Sequence, residues 1–64
     1  MLSREITDLI NSRLTLIANG QDYRDTMDDL NGMLKPHTNA QNVCEIQAYI
    51  IDACKIIGCT DPQA

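Results

Sequence analysis

The sequence predicts an all-α fold in which three short helices pack as an antiparallel helical bundle. Apolar residues recur at the spacing of one helix face, capping residues and helix breakers separate three such segments, and no segment alternates as a strand would. The chain has 64 residues, and a domain of that size buries only about 60% of the surface of its unfolded chain. We therefore expect a single helical domain at residues 1–59, a flexible C-terminal tail at residues 60–64, and a bundle completed by dimerisation.

The first helix is predicted at residues 3–19. Ser3 is a suitable N-cap, and Glu5 places a negative charge in the first turn, where the helix dipole favours it. The apolar face consists of Ile6, Leu9, Ile10, Leu14 and Ile17. Gly20 then ends the helix, because glycine readily adopts the left-handed conformation found at many helix C-termini.

The second helix is predicted at residues 22–35, with Asp22 as its N-cap. Its narrow apolar stripe consists of Tyr23, Met27, Leu30 and Leu34. An acidic face lies opposite, and we expect it to be exposed to water and open to a basic partner; it consists of Asp25, Asp28 and Asp29. Pro36 should stop this helix, because it restricts Lys35 and has no amide hydrogen.

The third helix is predicted at residues 39–57, from a capping box of Thr38 and Gln41 to the terminating Gly58. From Val43 to Ile57, eleven of fifteen residues are apolar or cysteine, so this helix should have almost no solvent face. Two amphipathic neighbours cannot cover so wide an apolar arc, which predicts an association surface. The interface candidates on this helix are Ile46, Tyr49, Ile50, Ala53, Ile56 and Ile57.

Arg13 interrupts the apolar stripe of the first helix. Its aliphatic stem could bury while its charge reaches water. Alternatively, it forms an ion pair with Asp52 or Glu45, or it anchors a partner, as arginine does at many interfaces. We count it among the interface candidates.

The three cysteines are an odd number, so they cannot all pair within one chain, and reduced thiols are expected. Cys44 and Cys54 fall within the apolar arc of the third helix and should be buried, whereas Cys59 follows Gly58 and should be the exposed thiol. Together with His37 they lack the paired spacing of a zinc site. No metal is therefore expected.

The acidic segment at residues 22–32 does not have the spacing of a calcium loop. Aligning Gly32 with the conserved glycine of such a loop puts Met27 and Thr38 at positions that require acidic ligands. The single histidine has no nucleophile placed beside it by a known motif, and no phosphate-binding loop is present. We expect neither an enzyme nor a cofactor.

The formal net charge is −4, which disfavours binding to nucleic acid. No apolar run is long enough for a membrane span, and the first 18 residues carry charges where a signal peptide needs an apolar core. We expect an acidic, soluble, cytoplasmic protein with no membrane partner.

These observations predict a small non-enzymatic helical protein that acts through protein–protein interaction, as an adaptor, inhibitor or regulatory subunit. Its expected partners are a second copy of itself, in a homodimer, and another protein that the sequence does not identify. One alternative is a nucleic-acid-associated regulator that gathers Arg4, Arg13 and Lys35 on one side of a dimer. The other is a structural subunit or co-chaperone of a larger assembly.

Overall fold

The computed structural model describes residues 2–59, and within them the chain forms three α-helices, one short 3-10 helix and no strand. Helix α1 spans Arg4–Ala18, α2 spans Tyr23–Leu34 and α3 spans Val43–Ile57. The 3-10 helix, Lys35–His37, follows α2 directly. The all-α fold class and the three-helix plan are confirmed, whereas the predicted tail at residues 60–64 lies outside the described residues.

Helix α1 has the caps that its sequence predicts. The Ser3 Oγ accepts a hydrogen bond from the Ile6 amide at 3.3 Å. At the other end Gly20 has a φ of +107°, its amide donates to the Ile17 carbonyl, and the Gln21 amide donates to the Leu16 carbonyl. This pair of bonds is the Schellman motif, in which a left-handed residue turns the chain back over the last helical turn.

Helix α2 begins as predicted, because the Asp22 Oδ2 accepts a hydrogen bond from the Asp25 amide at 3.0 Å. The α-helix ends at Leu34, one residue before the predicted end at residue 35, but Pro36 does not stop the helical path as predicted. Lys35 is helical, with φ −52° and ψ −46°, and the chain continues through one 3-10 turn that contains Pro36. The Thr38 hydroxyl then donates to the Leu34 carbonyl at 2.8 Å, so Thr38 belongs to the end of this segment.

The capping box before α3 forms one residue later than predicted. The Asn39 Oδ1 accepts hydrogen bonds from the Gln41 and Asn42 amides, and the Asn42 Oδ1 accepts one from the Asn39 amide. This is the reciprocal geometry of a capping box, formed by Asn39 and Asn42 instead of Thr38 and Gln41. Thr38 does not take this role because its hydroxyl is bonded to Leu34. Regular α-helix starts only at Val43, four residues after the predicted start.

Helix α1 is the central helix of the fold, because α2 and α3 both pack on it and contact each other little. The apolar core consists of Ile6, Ile10, Leu14, Leu30, Leu34, Ile46, Ala53 and Cys59. Only two of these residues come from the body of α3, whereas α1 contributes three. Its periodic stripe of branched residues, buried against two neighbours, therefore organises the fold.

Candidate protein-interaction surface

Helix α3 packs against α1 along one face and leaves a broad outer face in water. The prediction that this helix has almost no solvent face is therefore wrong. Its exposed residues are Cys44, Glu45, Gln47, Ala48, Ile51, Asp52, Lys55 and Ile56. The number of apolar residues in this helix does not reveal the face, because small, charged and apolar side chains are mixed along it. The two exposed isoleucines are the unusual members, with Ile51 57% exposed and Ile56 86% exposed.

A groove of about 140 Å³ lies beside Ile56, between α3 and α1. Its lining is mostly apolar and consists of Asn11, Tyr49, Asp52, Ala53, Ile56 and Ile57. We call this the Ile56 groove. The Tyr49 hydroxyl donates to the Asn11 Oδ1 at 3.2 Å, which fixes the tyrosine ring across the α1–α3 contact. The groove therefore has a rigid wall beside a protruding apolar side chain.

A second, wider depression of about 370 Å³ shares Tyr49 and Asp52 with the Ile56 groove. Its other lining residues are Leu2, Thr7 and Glu45. This depression carries more polar lining, and neither of the exposed isoleucines, Ile51 and Ile56, lines it. The Ile56 groove is the better candidate for binding an apolar group, because apolar burial provides most of the free energy of such contacts.

The structure separates the predicted interface residues of α3 into three groups. Ile46 and Ala53 are buried in the core of the chain itself, although Ala53 also reaches the floor of the Ile56 groove. Tyr49, Ile50 and Ile57 are half-buried against that core. Ile56 alone among the six is fully exposed. Ile46 can therefore contribute little to an interface. The remaining candidates for contact with a partner are Tyr49, Ile56 and Ile57.

Arg13 is half-buried, and its side chain makes no hydrogen bond or ion pair with any other residue of the described range 2–59. The predicted pair with Asp52 or Glu45 is therefore not formed within these residues. Partial burial without a paired carboxylate fits an aliphatic stem that packs while the guanidinium reaches water. Its role as a partner anchor stays a prediction.

The predicted acidic face on α2 is exposed at all three of its positions, Asp25, Asp28 and Asp29. The Asp25 amide donates a hydrogen bond to the Asp22 carboxylate, so the helix that carries this face begins with a well-defined first turn. Contact with a basic partner at this face stays a prediction.

The cysteine assignment from sequence is wrong for the exposure of Cys44 and Cys59 and for the reduced state of Cys54 and Cys59, whereas Cys54 is half-buried against the core. Cys54 and Cys59 form a disulfide, Cys59 is 2% exposed, and Cys44 is a free, exposed thiol. The physical reason is the turn at Gly58, whose φ of +91° folds Cys59 back over the preceding helical turn. Cys59 therefore packs back against the core instead of extending into solvent.

Within residues 2–59, no three His, Cys, Asp or Glu side chains are grouped closely enough to hold a metal ion. The His37 Nε2 lies 3.9 Å from a carboxylate oxygen of Glu5.

The three helices in the range 2–59 are all too short, or too polar, to cross a bilayer.

Compared with known proteins, the chain matches no family model, no curated protein and no solved structure. The proposed function therefore rests on the geometry and chemistry of this surface.

Sequence reasoning did not identify Asn11 as part of this surface. Asn11 lies in α1 beside the apolar stripe, one position after Ile10, and accepts the hydrogen bond from Tyr49. A polar residue at the edge of an apolar stripe, facing a helix that carries a tyrosine, is the sequence signal that could have suggested this pair.

Proposed function

We propose that this chain is a small non-enzymatic protein that acts through protein–protein interaction at the Ile56 groove, with a second copy of the chain as its first partner. The homodimer would serve as an adaptor, inhibitor or regulatory subunit. The observation that carries the proposal is an isoleucine left 86% exposed beside a mostly apolar groove.

The position of Ile56 favours a second copy as the occupant. A protruding side chain and a groove that lie side by side on one surface are self-complementary under twofold symmetry, because each copy can place its side chain in the groove of the other. Two copies of Ile56 would be buried in this way. Burial of an isoleucine contributes roughly 1.5–3 kcal/mol, so each dimer would gain this twice before the cost of association.

Charges near the groove also fit a twofold antiparallel pairing of α3. Placing Ile56 of one copy over Ala53 of the other brings Lys55 of each copy within one turn of Asp52 of its neighbour. Both residues are exposed and available for such a contact. The interface would still be small, and small interfaces form weak or transient complexes. We therefore expect a dimer that dissociates at micromolar concentrations.

We place this function in the cytoplasm. The supporting observation is the free, exposed thiol of Cys44, since an unpaired exposed cysteine is liable to crosslink in an oxidising compartment.

The test is the molar mass in solution, measured by light scattering over about a hundredfold range of concentration. The parent for all comparisons is Cys44→Ser, which removes disulfides between chains and keeps Cys54–Cys59. We expect a concentration-dependent dimer in the parent and a monomer in Ile56→Lys, because a lysine cannot be buried unpaired in the groove.

Ile51→Lys is the matched control, because it makes the same substitution in the same helix at an exposed isoleucine that does not line the groove. It should dimerise as the parent does. Circular dichroism checks that each variant keeps its helices. Equal dimerisation of the two lysine variants would reject the groove as the contact surface, and a parent that stays monomeric throughout would reject the homodimer.

A further inference from the structure

The last turn of α3 is closed by hydrogen bonds and by a covalent bond at the same place. The amides of Gly58 and Cys59 both donate to the Cys54 carbonyl, at 2.8 Å and 3.1 Å. The side chains of Cys54 and Cys59 are joined in a disulfide. In a Schellman motif these two positions commonly touch through apolar side chains, so here the disulfide replaces that contact.

The disulfide encloses two of the six residues that line the Ile56 groove. Ile56 and Ile57 lie between Cys54 and Cys59 in the chain, and both line the groove. Cys59 is buried in the core, whereas Cys54 is half-buried. The covalent ring therefore fastens the lip of the groove to the core of the fold.

We infer that the thiol–disulfide state of Cys54 and Cys59 controls the affinity of the Ile56 groove for its occupant. This inference rests on the proposed function, since it concerns the regulation of the same surface. With the disulfide formed, the backbone between the two cysteines has few alternatives to the helical turn that presents Ile56. With the disulfide reduced, the turn is held by the two hydrogen bonds to the Cys54 carbonyl and by the packing of Cys59, and a terminal turn without its covalent bond opens more readily.

The exchange reaction requires a dithiol as reductant. A thiolate of the dithiol attacks the Cys54 Sγ, because Cys54 is half-buried whereas Cys59 is buried, and forms a mixed disulfide. Cys59 leaves as a thiolate and takes a proton from water. The second thiolate of the dithiol then attacks the mixed disulfide and releases Cys54, so that two electrons pass to the protein and the dithiol becomes a disulfide. An oxidised dithiol reverses these steps.

A reversible switch of this kind suits the compartment proposed above. Disulfides in the cytoplasm are usually transient and redox-sensing. The oxidised chain would hold its partner, and the reduced chain would release it.

The experiment compares the dissociation constant of the dimer with and without dithiothreitol, by analytical ultracentrifugation of the Cys44→Ser parent. We expect the dissociation constant of the dimer to be about tenfold higher in the reduced protein. The matched control carries Cys54→Ala and Cys59→Ala in the same parent. It should show the weak affinity of the reduced form and no response to dithiothreitol.

Amide hydrogen exchange provides a second measurement that does not depend on dimer formation. Reduction should accelerate exchange at residues 55–58 and leave exchange in α1 unchanged. Loss of protection across all three helices would overturn the local mechanism, because the disulfide would then support the fold as a whole.

The outcomes separate this inference from the proposed function. A dimer of equal strength in both redox states would overturn redox control and leave the groove as the contact surface. A monomer in both states would overturn the homodimer and the redox control together.

Discussion

Gly20 and Gly32 place opposite demands on the backbone. Gly20 has a left-handed φ of +107° at the end of α1, whereas Gly32 lies inside α2 and has no positive φ. A Cβ added at either position would meet no atom within 4 Å apart from its chain neighbours and the backbone of its own helix. The effect of an alanine at these two sites is therefore set by backbone conformation and not by collision.

We predict that Gly20→Ala lowers the free energy of unfolding by about 1 kcal/mol, because an L-residue is strained in the left-handed region. Gly32→Ala should raise it by roughly 0.5–1 kcal/mol, because alanine loses less conformational entropy in a helix. Urea unfolding followed by circular dichroism measures both. Shifts of the same sign in the two variants would contradict this assignment of backbone roles.

The roles of single residues could be predicted from sequence where they depend on near neighbours. Ser3 and Asp22 cap the helices that they precede, as expected. Cys59 was assigned wrongly, because its burial depends on where the turn at Gly58 directs the chain. Exposure at such a position is a property of the three-dimensional turn, and composition carries little information about it.

At the scale of elements, the start of α3 shows how two equally plausible caps compete. Thr38 with Gln41 and Asn39 with Asn42 both have the spacing of a capping box, and only the second pair forms one. The 3-10 turn after α2 decides between them, because it leaves the Thr38 hydroxyl bonded to Leu34. Periodicity predicted α1 and α2 to within one residue at each end, but it could not predict this continuation past Pro36.

We predict that Asn42→Ala lowers the free energy of unfolding by about 1–2 kcal/mol, because Asn42 accepts from the Asn39 amide and donates to the His37 carbonyl. Gln41→Ala is the matched control, since it shortens the neighbouring amide side chain that the sequence favoured. It should change stability by less than about 0.5 kcal/mol. Thermal unfolding of both variants tests this. An equal loss of stability in the two variants would contradict the Asn39–Asn42 capping box and favour the predicted Thr38–Gln41 box.

At the scale of the whole molecule, the chain builds its own core before any partner is added. Its radius of gyration is 11.2 Å, close to the value of about 11 Å expected for a folded domain of this length. The proposed dimer would therefore cover Ile56, and it is not required to assemble the three helices. The sequence predicted the existence of an uncovered apolar surface. Its interface candidates include four residues that line the groove, Tyr49, Ala53, Ile56 and Ile57, but apolar content does not show which candidates pack on α1 and which face water.

We predict that a charge exchange reports the direction of the dimer. In an antiparallel pairing of α3, Asp52→Lys places like charges opposite each other across the contact and should weaken the dimer several-fold at low salt. The double variant Asp52→Lys with Lys55→Asp should recover most of the affinity. Sedimentation of the two variants in the Cys44→Ser parent measures this, and a double variant as weak as the single one would exclude the antiparallel arrangement.

The central position of α1 also bears on how the protein forms during translation. Of the three helices, α1 leaves the ribosome before the others, and α2, the next helix, packs directly on it. A helical hairpin of these two segments can therefore form while the remainder is still being synthesised. Helix α3 emerges last of the three and has little contact with α2, so it would dock onto a surface that already exists. Helix α3, which provides most of the Ile56 groove, would thus be the last of the three helices to become ordered, and nascent chains would not meet through this groove until all three helices had emerged.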